Sequence, residues 1–188
     1  MSNLLWLAAS LALLSTTALA PVSVGSDPLG APTPPKPPPV PKLPPAPRTP
    51  IVANGELEVQ VSPWVATGTG QHYTATGVLP HGGKGYLFLG QENKTEGRTC
   101  QDLDLPASAA GNLTYWLAVS SEETSSTMKY DVMVVEVRDR NDQVLKTIGA
   151  FSNLDKTSPV TYSSKSASLA DRVGSGIRLC FRSPRTAR

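Results

Sequence analysis

Thirteen of the chain's 18 prolines lie between residues 21 and 50, and that crowding restricts what each side of Pro50 can become. The tract centres on APTPPKPPPVPKLPPAPRTP. Its prolines fix φ and remove backbone donors too densely for a helix interior or a sheet ladder. Residues 21–50 are therefore expected to run as a polyproline II linker, rising about 3.1 Å per residue and burying no core. PxxP segments also suit SH3-type grooves, but in an exported chain a semi-rigid spacer is the simpler assignment. Whatever folds must come from residues 1–20 or from residues 51–188.

The first flank reads as an export signal. Leu4–Leu14 (LLWLAASLALL) is an apolar run followed by the small-residue stretch STTALA. It is too short for an ordinary membrane span of about 20 residues. Residues 1–20 are assigned to a signal peptide, which places the chain outside the cell or in the periplasm, with no membrane insertion after cleavage. Met1-Ser2-Asn3 lacks the usual basic residue, and Pro21 would make a poor residue beyond a cut after Ala20. Cleavage after Ala18 and retention as an anchor therefore stay open.

The second flank, residues 51–188, is long enough for one domain with its own core. Setting aside Lys36, Lys42, Arg48 and Asp27 leaves it 14 basic and 14 acidic residues. Nucleic acid and anionic membranes need a basic surface, so neither is expected as a partner. Period-2 alternation and β-branched residues predict strands at Glu56–Val61, Tyr73–Val78, Gly85–Leu89, Thr99–Leu105, Leu113–Val119, Tyr130–Arg138, Val144–Phe151, Val160–Ala167 and Ile177–Arg182. Turns are expected at 81–85 (HGGKG), 107–112, 139–142 and 171–176. No window holds a helical period. Many short antiparallel strands imply an all-β, two-sheet sandwich. Alternation sends Gln101, Leu103 and Leu105 to one face, with Cys100, Asp102 and Asp104 on the other. It likewise buries Ile177, Leu179 and Phe181, turns Arg178, Cys180 and Arg182 outward, and buries Met133, Val135 and Val137.

An ordered series of short motifs then stands out. Asn54-Gly55 with Glu58 and Pro63-Trp64 precede Gln101 and Pro106. Tyr115-Trp116, Glu122-Glu123-Thr124, Tyr130-Asp131 before Val135 and Val137, Ser152-Asn153, and the closing GIRLCFR follow. This series, over most of residues 52–182, resembles the jelly-roll β-sandwich accessory domain of secreted bacterial proteins, appended to exported peptidases and some carbohydrate-active enzymes. The resemblance implies jelly-roll topology and a non-catalytic role. It also implies a further strand ending in an Asp-Asp-Val type motif, in place of which this sequence reads SPRTAR. An open sheet edge, or its filling by residues 51–61, is the expected consequence.

On that strand order the Gln101 and Leu179 strands are neighbours, so outward-facing Cys100 and Cys180 can form a cross-strand disulfide. Export favours the bridge; two separate surface thiols are the alternative. The resemblance also suggests a structural Ca²⁺ near Glu58, with Glu122, Glu123 and Asp131 as further acidic candidates. A hard cation needs six to eight oxygens, and a solvated acidic turn explains the same residues without a metal. Trp64, Tyr73, Trp116 and Tyr162 are the aromatics available to stack on a sugar, although Trp64 could equally plug the end of the sandwich. Tyr115 and Trp116 are consecutive, so one of them must face away from the core. Only His72 and His81 are available for acid–base work, with no HExxH, GxSxG or reactive-cysteine signature, and no enzyme is expected. The reading is a secreted module that binds a carbohydrate or protein surface. The alternative is an assembly domain that docks on a secreted enzyme such as a peptidase, or self-associates through an open sheet edge.

Overall fold

The computed structural model describes residues 5–6, 12–15, 51–58, 62–68, 71–74, 79–90 and 95–184. The linker 21–50 and most of the expected signal peptide lie outside the described residues. The strands are β1 (Leu5–Trp6), β2 (Ala12–Ser15), β3 (Val65–Gly68), β4 (Gln71–Thr74), β5 (Gly85–Leu89), β6 (Gly97–Asp104), β7 (Ala109–Leu117), β8 (Val132–Arg138), β9 (Val144–Ser152), β10 (Ser163–Ser168) and β11 (Gly176–Ser183). Every pair is antiparallel. The hydrogen-bonded orders are β3-β6-β11-β8-β9, β1-β5-β4 and β10-β7-β2. Two single 3-10 turns, Asn153–Asp155 and Ala170–Arg172, are the helical elements among the described residues. None is long and apolar enough to cross a membrane.

The five-stranded sheet faces the other two across one core. Leu103, Met133, Val135, Val137, Ile177, Leu179 and Phe181 pack from the large sheet against Leu87 and Leu89 of β5 and Leu113, Tyr115 and Leu117 of β7. Tyr115 reaches furthest across this layer. It is 1% exposed and meets Phe181 and Phe151 edge-on, with centroids 5.7 and 6.5 Å away. Burial pushes its hydroxyl up to about 12. A Cβ at Gly149, on the opposite sheet, would stand 2.5 Å from that hydroxyl, so the glycine makes room for the ring. The period-2 assignment of inner and outer faces holds along β6, β8 and β11, because a strand buried on one side must alternate.

The disulfide between Cys100 and Cys180 is present, joining directly opposed positions of β6 and β11 whose Cα atoms are 4.1 Å apart. Both cysteines lie on the outer face of the sheet, yet they are only 7% and 0% exposed.

Several element boundaries differ from expectation. Glu56–Glu58 is not strand. Residues 51–56 form turns in which Leu57 N–H donates to the Asn54 carbonyl, and Asn54 and Leu57 adopt positive φ of 48° and 56°. A strand cannot accommodate such dihedrals. The rest of that expected strand, residues 59–61, lies outside the described residues, as do residues 75–78 of the next one. The buried Gln101 amide holds the turn segment, accepting from Ala53 N–H at 3.0 Å and donating to its carbonyl at 2.7 Å. Residues 51–58 therefore fill no gap in a sheet. Strand β7 starts at Ala109, inside the expected turn; Gly111 (φ 66°) lets the chain pass close to Ala170, and its carbonyl accepts from Leu169 N–H. Strand β3 was not anticipated, and neither was pairing by the apolar N-terminal run. In the structure Leu5–Trp6 adds to β5 and Ala12–Ser15 to β7.

The disulfide closes a separation of 80 residues. Replacing both cysteines (Cys100→Ala with Cys180→Ala) is expected to lower stability by about 2–4 kcal/mol. Urea-unfolding midpoints measure this; a loss below about 1 kcal/mol would show that packing alone holds β6 against β11.

Candidate functional site

The two outer faces of the sandwich differ in chemistry. On the five-stranded sheet, arginines and carboxylates link into one continuous network. Glu96 meets Arg182 at 3.5 Å, and Arg182 meets Glu136 at 3.0 Å. Glu136 also pairs with Arg138, and Arg138 with Asp142 at 3.3 Å. Asp142 accepts from Arg98 and Arg178 at 2.6 and 3.4 Å. Arg178 continues to Asp102 at 2.8 Å, and Arg140 joins Asp102 to Asp104 at 3.0 and 2.7 Å. The network balances five guanidiniums against five carboxylates, so this face carries no surplus charge for a polyanion.

The network also sets the acid behaviour of its members. The hydrogen bond from Arg178 is the main reason that Asp102 stays below the usual carboxylate range, and Arg98 does the same for Asp142. Burial works to raise Glu136, but hydrogen bonds from Arg182 and Arg138 outweigh it and the net direction is down. A shallow groove beside the disulfide, lined by Pro63, Val65, Thr67, Arg98, Asp102 and Arg178, opens onto these same paired groups.

On the opposite side, the outward positions described for β7 and β10 carry hydroxyls and no charge. Cross-strand register places Asn112 opposite Ser168, Thr114 opposite Ser166 and Trp116 opposite Ser164. Trp116 is half-buried, while Ser164, Ser166 and Ser168 are exposed. The His81 ring lies flat on Trp116, with centroids 3.7 Å apart and planes 15° apart. Tyr162 meets His81 edge-on at 5.7 Å, and its hydroxyl donates to the Leu79 carbonyl at 3.2 Å. Burial, with Tyr86 nearby, pushes the Tyr162 hydroxyl up to about 12. The turn 79–84 is thereby clamped over the strand pair β7–β10. Its shape depends on Glu58, whose carboxylate accepts from Lys84 N–H at 2.7 Å and leaves no room for a Cβ at Gly83.

Of the four aromatics proposed for ligand stacking, the structure brings Trp116 and Tyr162 together. Trp64 lies apart from them: it is 3% exposed, packs 6.0 Å from Phe181 and donates its indole N–H to the Asn54 carbonyl. It plugs the end of the core. The Tyr73 side chain lies outside the described residues. His81 was considered only for catalysis, and its turn gave no local signal that it would stack on a residue 35 positions away.

The acidic candidates do not assemble. Glu58 is engaged with the 82–84 turn, Asp131 accepts from Ser121 Oγ at 2.7 Å, and Glu122 is exposed to solvent. Lys156 Nζ donates to the backbone carbonyls of Ser121 and Glu123, pinning that loop with a cation of the protein's own. Among the described residues no three His, Cys, Asp or Glu side chains converge as a metal site. The carboxylates proposed for Ca²⁺ therefore do not fit one. Asn153, buried at the base of the same loop, instead accepts from Tyr130 N–H and donates to the Met128 carbonyl.

Neither a protein-family model nor a curated protein sequence matches the chain. Among solved structures it is similar to the enzymatically active domain of tailspike protein 4 from bacteriophage CBA120, with 13% identity and a TM-score of 0.40, over 73% of this chain and 19% of that one. The chain thus spans about a fifth of the tailspike's length, and so remote a likeness carries no argument about function.

The network predicts acid sensitivity. Asp102, Asp142 and Glu136 have lower pKa values folded than unfolded, so the unfolded chain binds more protons near pH 4. Their stabilisation is present above the unfolded values of about 4 and is lost as pH falls through the folded ones. Chemical denaturation between pH 2 and 7 should show this decline. Glu136→Gln should flatten it and lower stability at pH 7 by about 1–3 kcal/mol, by leaving two guanidiniums short of an acceptor.

Proposed function

We propose that this is an exported, non-catalytic β-sandwich module of jelly-roll type that binds a neutral polysaccharide through the face built on β7 and β10. The supporting observation is the uncharged strip running from Asn112 and Ser168 to Trp116, closed at one end by His81 and Tyr162. Sugars present apolar C–H faces that stack on aromatic rings, and hydroxyls that exchange hydrogen bonds with serine, threonine and asparagine. A preformed, clamped aromatic patch loses little conformational entropy on binding. The self-neutralised network on the other face suits solubility rather than capture of a charged ligand. Export rests on the apolar run before STTALA and agrees with a disulfide-bonded domain. On this reading the linker 21–50 holds the module away from its point of attachment or export.

Tryptophan fluorescence titrations with soluble neutral polysaccharides should give a saturable change with at least one of them. Trp116→Ala should weaken binding about tenfold or more, which corresponds to about 1.4 kcal/mol. Unchanged binding by the Trp116 variant, or no response to any neutral polysaccharide, would sink the proposal.

A second reading, an assembly domain, is favoured by one observation. Strand β9 ends the five-stranded sheet, with Val144 and Leu145 exposed at 50% and 38%. Edge strands of this kind invite pairing with another chain. This reading requires a mass that rises with concentration and falls for Leu145→Lys, together with indifference to polysaccharides.

A further inference from the structure

Strand β3 lies beside β6 and β6 beside β11, so one row across the outer face reads Val65, Cys100, Cys180. The shallow groove beside the disulfide has Cys100 in its wall. It is built from Pro63, Val65 and Thr67 on the β3 side and from Arg98 and Asp102 on β6. We propose that this groove is a thiol-exchange site. It admits a small thiol to Sγ of Cys100, so that the disulfide is opened by exchange while the sandwich stays folded.

The register selects which sulfur is attacked. In thiol–disulfide exchange one sulfur displaces another, and the attacking, central and leaving sulfurs lie close to one line. Attack on Cys100 must therefore come from the side away from Cys180, which in this sheet is the β3 side, where the groove lies. Val65, opposite Cys100, is 66% exposed, so its side chain stands largely in solvent. Attack on Cys180 would have to come from β8, where Glu136 stands opposite it, buried and paired with Arg138 and Arg182. Cys180 is itself fully buried, and Cys100 keeps what exposure the pair has. Arg178 and Arg182 flank Cys180 on the same face of β11, with the single carboxylate of Glu136 across from it. Neighbouring guanidiniums favour a thiolate, so Cys180 is suited to be the sulfur that leaves.

The reaction balances with a dithiol as the reductant. Its thiolate bonds to Sγ of Cys100, the bond to Cys180 breaks, and the electron pair leaves on Sγ of Cys180, which takes a proton. The second thiol of the reagent then displaces Cys100, which is also protonated, and the reagent departs as a disulfide. Opening releases the closure over a separation of 80 residues. The core and the Arg178–Asp102 pair still hold β6 against β11. The proposal is independent of the polysaccharide face, which lies on the other side of the sandwich.

The full chain tests this with dithiothreitol in native buffer, free thiols being counted by alkylation and mass. Opening should be first order in the thiol, and its rate should stay flat as urea is raised well below the unfolding midpoint. Val65→Trp, which fills the groove, should slow opening about tenfold or more. Val65→Ala should open no more slowly than the parent, which separates a blocked groove from a disturbed β3. Exchange with glutathione, quenched in acid and mapped by peptide mass, should place the adduct on Cys100. Four results would each overturn the site: a rate that climbs with urea in step with the unfolded fraction, opening of Val65→Trp as fast as the parent, equal slowing by Val65→Ala, or an adduct on Cys180.

Discussion

Strand β11 lies between β6 and β8, and its register is the constraint on which the rest of the structure depends. Setting Leu179 against Gln101 and Val137 commits every side chain of three strands to a face. Ile177, Leu179 and Phe181 then enter the core, while Cys180 meets Cys100 and the arginines meet their carboxylates. A slip of one residue would put Arg178 and Arg182 inside and leave the cysteines on opposite faces. The disulfide and the ion-pair network are therefore two readouts of one alignment, and both act against its alternatives.

From that alignment the two outer faces diverge. The central sheet spends its polar side chains on one another, to the point that Glu136 is buried between two guanidiniums. The sheet carrying β7 and β10 places hydroxyls and an indole on its surface and closes one end with the His81 turn. Tyr115 and Trp116 show how this separation arises. Being consecutive in a strand they must point to opposite faces, and only Tyr115 finds Phe181 and Phe151 to pack against. Trp116 is left outside, where His81 covers one side of it. A face with stacked rings and no net charge suits a neutral ligand better than an ionic one.

The same geometry explains why some sites were legible early and others were not. Cys100 and Cys180 could be paired from sequence because alternation assigns their faces and a resemblance orders their strands. Trp64 looked available because no local pattern shows that Phe181 and the Asn54 carbonyl wait beneath it. Glu58 looked like a metal ligand, but the nearby Lys84 amide takes its carboxylate. His81 went unnoticed as a binding residue because its partner lies on another strand. In each case the missing information was a contact between residues far apart in the chain.

The sequence by itself determined the crowding of prolines before residue 51, a charge-balanced stretch of alternating strands after it, and inner and outer residues on each long strand. These follow from local properties: proline's missing donor, the two-residue period of an extended chain, and side-chain polarity. Only the tertiary structure decided which strands are neighbours, that Leu5–Trp6 pairs with β5 and Ala12–Ser15 with β7, and which aromatics stay at the surface. Those outcomes depend on long-range pairing, where a backbone edge accepts whichever strand can reach it and cover the core beside it.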